Sequence, residues 1–229
     1  MKQGFLVAVD GVDGSGKSTI CNILHDHLYA RRKDAVLQMQ MPGGTPLGQE
    51  IRKLVKSVKK EYQIDNVSER LLFCADNVNT LATLVIPSLV KGMIIVSDRW
   101  SMITDHAYGI AGGMDPAIIQ QIQSIAPSVK PDLYIVLRCS FETAKERMAL
   151  RMNSALGSVQ QPCRIEHKGE AFMRSVCEQY ADHHSVTMNR AYMMAKKVVV
   201  IDANEGLDGA RAAAIEAVDR AFMDYEKNS

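Results

Sequence analysis

Residues Phe5 to Arg32 read FLVAVDGVDGSGKSTICNILHDHLYARR. Gly11, Gly16, Lys17 and Ser18 stand at the spacing G-x-x-x-x-G-K-S. The run before them, Phe5 to Asp10, is apolar and rich in β-formers, and the run after them is apolar at helical spacing. Strand, glycine loop and helix in that order make a phosphate-binding loop. From Gly11 through Val12, Asp13, Gly14, Ser15 and Gly16, small residues let consecutive backbone N–H groups turn inward on a phosphate. The N-terminus of the next helix adds partial positive charge, and Lys17 adds a full one. Ser18, followed by Thr19, is placed to offer its hydroxyl to a magnesium ion. The expected ligands of the loop are a nucleoside triphosphate and Mg2+. The loop by itself does not name the group that receives the phosphate.

The rest of the chain bounds the problem. Its 229 residues suit one large α/β domain, 1–229, with a full core. Lys plus Arg number 27 against 26 Asp plus Glu, a net charge of +1, so no nucleic-acid-coating surface is expected. Five cysteines without a C-x-x-C pair fit a reducing cytoplasm better than a disulfide framework. No signal peptide is expected, and no apolar run is expected to reach membrane-spanning length.

Further apolar, β-branched runs lie at 35–41, 93–98, 132–139 and 197–202. Helical patterns occupy 17–32, 46–60, 67–90, 115–125, 141–152, 167–195 and 208–226. The alternation predicts a mostly parallel five-stranded sheet with helices on both faces. Ligands of such a sheet gather at the carboxyl ends of its strands. The polar clusters Asp13 to Lys17, MPGG (Met41 to Gly44) and SDRW (Ser97 to Trp100) each follow a strand, which locates one site. Arg99 there is placed for bidentate grip on an acceptor phosphate.

Several segments carry a resemblance to the thymidylate kinase family. They are AVDGVDGSGKST, PGGTPLGQEIRKLV (Pro42 to Val55), RLLFCAD (Arg70 to Asp76), SDRW, the pair Ala107–Tyr108, and CRIEHKGEAFMRSVCEQY (Cys163 to Tyr180). The resemblance implies a P-loop kinase fold, transfer of the ATP γ-phosphate to a deoxynucleoside 5'-monophosphate, most simply thymidylate, and a homodimer. It also implies roles. Phe73 stacks on the acceptor base, a residue that by itself reads as core packing. Asp13 contacts the sugar and lies near the metal, and Tyr108 closes under the sugar. Pro42, Arg52, Asn77, Asp98 and Asp105 complete the expected acceptor side. A lid at about 150–166 is flanked by Arg147, Arg151 and Arg164; Arg147 is expected on the ATP side, and Arg151 or Arg164 at the transferring phosphoryl group.

The chain departs from the family pattern where the base is read. Asn77 replaces an arginine, Asp105 a small hydroxyl or amide residue, Gly109 a glutamine, and Gln40–Met41 an Arg-Glu pair. Asp105 accepts from N–H groups unless it turns to solvent or pairs with a neighbour such as Arg52. Shifted or broadened base selectivity, toward guanine or a modified pyrimidine, is therefore an open expectation. Rival readings are a nucleoside kinase with Asp98 as base, a nucleotide-dependent switch, and a non-turning-over binding protein. The switch is disfavoured because no N-K-x-D motif is present.

Overall fold

The structure is a computed structural model that describes residues 4–33, 35–59, 61–153 and 164–227. Its five strands are β1 (Phe5–Gly11), β2 (Val36–Gln40), β3 (Ile94–Asp98), β4 (Leu133–Arg138) and β5 (Val198–Asp202). They form one sheet in the order β2-β3-β1-β4-β5, with every pairing parallel. β1 is buried along its whole length and β3 and β4 along nearly all of theirs, as central parallel strands with both faces covered require.

Among the described residues, ten α-helices surround the sheet. α1 (Lys17–Arg31) and α10 (Leu207–Lys227) pack on each other and on the strands. A second group comprises α3 (Asn66–Thr80), α4 (Ile86–Val90), α5 (Ser101–Ala111), α6 (Pro116–Gln123), α8 (Glu170–Ala181) and α9 (Val186–Met194). Within it α8 packs on β4 and α4 on β3, while α5 packs on α3, α6, α8 and α9. α2 (Pro46–Lys56) leans on α3, and α7 (Phe141–Asn153) on α8. The five strands and helix-flanked sheet are those expected from the sequence.

Four elements differ from expectation. α2 ends at Lys56 instead of running to 60, and its start is fixed by Thr45, whose side chain accepts from the Gly48 N–H. The helix expected at 67–90 carries a π-helical turn at Leu81–Val85 between α3 and α4. The helix expected at 167–195 is two helices, because Ser185 caps a fresh start at α9. α5 was not expected at all. The run Asn66–Val90 also reaches 25 residues with a mean hydropathy of 1.3 in its most apolar window, contrary to the expectation that no run is that long. Buried Glu69, Arg70 and Asp76 along it mark a core helix. Most of the expected lid lies outside the described residues.

Candidate active site

The phosphate loop spans the turn from β1 into α1. At Gly14 the backbone takes φ 87, and a Cβ there falls 2.4 Å from the Ala144 carbonyl oxygen. The loop is thus seated against α7, and only glycine fits. Lys17 is buried and donates to the Val12 carbonyl at 2.8 Å, with Asp13 Oδ1 3.6 Å away. Burial, and then Arg99, lower the Lys17 pKa. Ser18 Oγ donates to Asp98 Oδ2 at 2.6 Å. A hydroxyl and a strand-end carboxylate in contact supply two hard oxygens. That suits Mg2+, which takes few protein ligands and fills its octahedron with phosphate oxygens and water. Asp98 therefore stands with Ser18 and outside the acceptor pocket, and Asp13 is engaged elsewhere.

Arg99 joins the two halves of the site. It is the non-glycine residue with positive φ, 76, among the described residues. That conformation is held by its N–H on the Val9 carbonyl at 2.8 Å and by Ser97 Oγ on its own carbonyl at 2.7 Å. Strained backbone of this kind concentrates at functional sites. The guanidinium donates to Asp10 at 3.2 Å, the Gly11 carbonyl at 3.0 Å, the Tyr108 hydroxyl at 3.1 Å, and Asp13. Burial alone raises the Asp13 carboxyl, but Arg99 and Lys17 hold it well below the usual carboxylate range. Burial likewise pushes the Tyr108 hydroxyl up. Behind Arg99, the fully buried Asp10 accepts from the Gly11 and Trp100 N–H groups and from the hydroxyls of Thr104, Tyr134 and Tyr180. An acid ending an apolar strand was its only signal in the sequence.

Arg99, Asp13 and Tyr108 also line a pocket at the carboxyl ends of β1, β2 and β3. Pro42, Arg52, Phe73 and Asp105, all expected on the acceptor side, line it too, together with Met41, Thr104 and Arg70. Arg52 donates to the Pro42 carbonyl at 3.0 Å, and Asp76 accepts from the Gly43 N–H at 3.2 Å, which fixes the loop after β2 to α3.

At the α3 side of the pocket the expectation for Asp105 changes. Its partner is Arg70, at 3.0 Å, and not Arg52. Arg70 also pairs with Glu69 and lies over the Phe73 ring, 4.5 Å from its centroid. Burial pushes the Asp105 carboxyl up to about 7 against the opposing pull of Arg70. Glu69 also takes Arg164, and it takes Lys168 at 3.1 Å. Its burial raises its pKa, but Arg70, Lys168 and Arg164 outweigh that and lower it. Asn77 is outside the pocket lining and donates to Met102 Sδ at 3.2 Å. At Gly109 a Cβ falls 2.6 Å from Ile119 Cδ1, so any larger residue there requires the end of that side chain to shift.

The arginines expected around the lid separate. Ala144, Arg147 and Arg151 follow at i, i+3 and i+7 along α7, the helix against the phosphate loop. Arg147 donates to the Ala203 carbonyl after β5 at 2.7 Å, and Arg151 is exposed in the last turn. Arg164 is anchored on the acceptor side, donating to the Val55 carbonyl at 3.0 Å and to Glu69.

A phosphate loop facing a polar and aromatic pocket across one arginine defines a P-loop phosphotransferase whose acceptor is itself an anion. Comparison with known proteins narrows the class. The sequence profile of the family described as thymidylate kinase matches residues 9–212, and the chain belongs to that family. It is 29% identical over 214 residues to the thymidylate kinase of Hahella chejuensis, covering 93% of this chain and 95% of that one. It is 32% identical over 190 residues to that of Synechococcus sp. (strain CC9605), covering 80% and 87%. The crystal structure of thymidylate kinase from Ehrlichia chaffeensis superposes with a TM-score of 0.66 at 20% identity, covering 96% of this chain and 99% of that one. That likeness shows the shared fold.

Proposed function

We propose that this chain transfers the γ-phosphate of ATP to thymidine 5'-monophosphate, giving ADP and thymidine 5'-diphosphate. The observation that carries the reading is Arg99, which reaches the phosphate loop and the acceptor pocket with one guanidinium. Lys17 and the loop amides hold the donor phosphates, and Arg147 and Arg151 stand on that side. Ser18 and Asp98 would hold Mg2+, which neutralises charge on the phosphates when bound. Arg99 turns from its present partners to the acceptor phosphate. Phe73 walls the base, while Asp13 and Tyr108 meet the sugar. An acceptor phosphate is already anionic near neutral pH, so positioning and charge neutralisation carry the reaction and no general base is needed. This separates the reading from a nucleoside kinase, whose base would be Asp98, here bonded to Ser18. The test is ADP release with thymidine 5'-monophosphate against thymidine: turnover of the first alone supports the reading, and turnover of thymidine alone overturns it.

The chain is also proposed to be one domain and to work in the cytoplasm, consistent with free thiols at Cys21, Cys74, Cys139 and Cys177. A homodimer is proposed on the exposed apolar residues Val67 and Leu71, one turn apart on α3, with Ile118 on the adjoining α6.

A further inference from the structure

Behind Arg99 the buried carboxylate of Asp10 gathers donors from β1, α5, β4 and α8, and two of them are tyrosines without a part in the proposed reaction. Tyr134 comes from near the start of β4 and Tyr180 from the last turn of α8. Both are at most 2% exposed, and Tyr180 bonds Oδ1 at 3.0 Å while Tyr134 bonds Oδ2 at 2.9 Å. Burial, and then Asp10, push both hydroxyls well above their ordinary range, so they stay protonated and donate. The Gly11 N–H at 2.8 Å is the second donor on Oδ1. Thr104 supplies the second hydroxyl on Oδ2, with the Trp100 N–H further off at 3.4 Å. A carboxylate oxygen offers about two lone pairs, so both oxygens are filled before Arg99 is counted. Arg99 reaches Oδ1 at 3.2 Å, longer than the other two bonds on that oxygen. It is the surplus partner.

We propose that Tyr180 and Tyr134 are positioning residues for the acceptor phosphate: by filling Asp10, they let Arg99 exchange that carboxylate for the phosphate. The proposal rests on the phosphotransfer reading above, in which Arg99 turns to the acceptor. An arginine that leaves a buried carboxylate strands an uncompensated charge, which is strongly unfavourable. Here the carboxylate keeps two donors on each oxygen, none of them carried by Arg99. The pocket side of the guanidinium meets no such obstacle. Asp13 there has a side chain 31% exposed, so water and Lys17, 3.6 Å away, take up its charge. Removing one tyrosine hydroxyl frees a lone pair of Asp10 for Arg99 to fill. The guanidinium is then held harder on the sheet side, and the acceptor phosphate competes for it less well. Neither tyrosine lines the acceptor pocket, so the effect reaches the substrate through Asp10 and Arg99.

The experiment uses Tyr180→Phe and Tyr134→Phe, each of which deletes one hydroxyl and keeps the ring. Calorimetry measures the dissociation constants of thymidine 5'-monophosphate and of thymidine, which lacks the phosphate. Steady-state kinetics gives KM for ATP. In each variant the constant for the monophosphate rises at least about threefold, toward the low end of what one hydrogen bond contributes. The constant for thymidine and KM for ATP stay at their native values. A merely structural role weakens nucleoside and nucleotide together, and that result overturns the proposal. An unchanged or tightened constant for the monophosphate in either folded variant overturns it too. Each variant tests the proposal independently, so one that fails to fold leaves the other decisive. In all these cases native chain still phosphorylates the monophosphate and the broader reading stands. Native chain that phosphorylates no monophosphate removes that reading itself.

Discussion

Lys17, Arg99 and Asp105 do different work with the same currency of charge held out of water. Lys17→Ala removes a full charge from the phosphate loop and is expected to lower kcat by about 10²- to 10³-fold, the usual effect of one charge-stabilising donor. Circular dichroism should be unchanged, and activity within a few-fold of native would contradict the donor assignment. Arg99→Ala is expected to raise KM for the monophosphate about tenfold or more while KM for ATP changes little. Asp10 keeps its tyrosine, threonine and backbone donors in that variant, so the fold should survive. A selective rise in KM for ATP would move Arg99 to the donor side. Asp105 makes a prediction about pH. Burial raises its carboxyl from an ordinary 3.8 to about 7. Between those values the folded chain holds a proton that the unfolded chain releases, so the associated stability is full at low pH and lost as pH rises through 7. The Tm of native chain minus that of Asp105→Asn should therefore decrease from pH 5 to pH 8. A flat or increasing difference would mean the carboxyl is not buried as described.

Elements were legible where one local signal decided them. All five strands show as apolar β-branched runs, and the glycine loop is readable because its lysine and serine follow at fixed spacing. α5 escaped because nearly every one of its residues, from Ser101 to Gly109, is buried, which leaves no polar face and no helical period to detect. α8 and α9 merged because apolar residues at helical spacing lie on both sides of a break only four residues long, Asp182 to Ser185, where the Ser185 cap starts α9 afresh. The acceptor pocket was half legible. Arg99, Phe73 and Tyr108 stand out by motif, but the Arg70–Asp105 contact is tertiary, and no spacing within either helix announces it. Position 77 lies outside the pocket lining, whereas the guanidinium of Arg70, two turns earlier on α3, lines it. At the element scale the seating of the loop on α7 is testable. Gly14→Ala forces a Cβ to within 2.4 Å of the Ala144 carbonyl oxygen at a φ of 87. It should cost about 1–3 kcal/mol in chemical denaturation and abolish most turnover. A fully stable, active variant would show that the loop and α7 do not meet in this way.

At the scale of the molecule, the sheet brings the phosphate loop, the Ser18–Asp98 pair and the pocket to the carboxyl ends of adjacent strands, with Arg99 between them. The apolar face at Val67, Leu71 and Ile118 lies on α3 and α6, and α3 also carries Arg70 and Phe73. A dimer formed there would brace the pocket from behind, and light scattering at micromolar concentration should return twice 25.3 kDa. A purely monomeric mass would remove that interface. The central claim is phosphoryl transfer from ATP to thymidine 5'-monophosphate, and product analysis tests it most directly. Native chain incubated with γ-labelled ATP, Mg2+ and thymidine 5'-monophosphate should yield thymidine 5'-diphosphate labelled in its β-phosphate, with one ADP for each. ADP without labelled diphosphate, or no turnover while Lys17 still binds ATP, would contradict it.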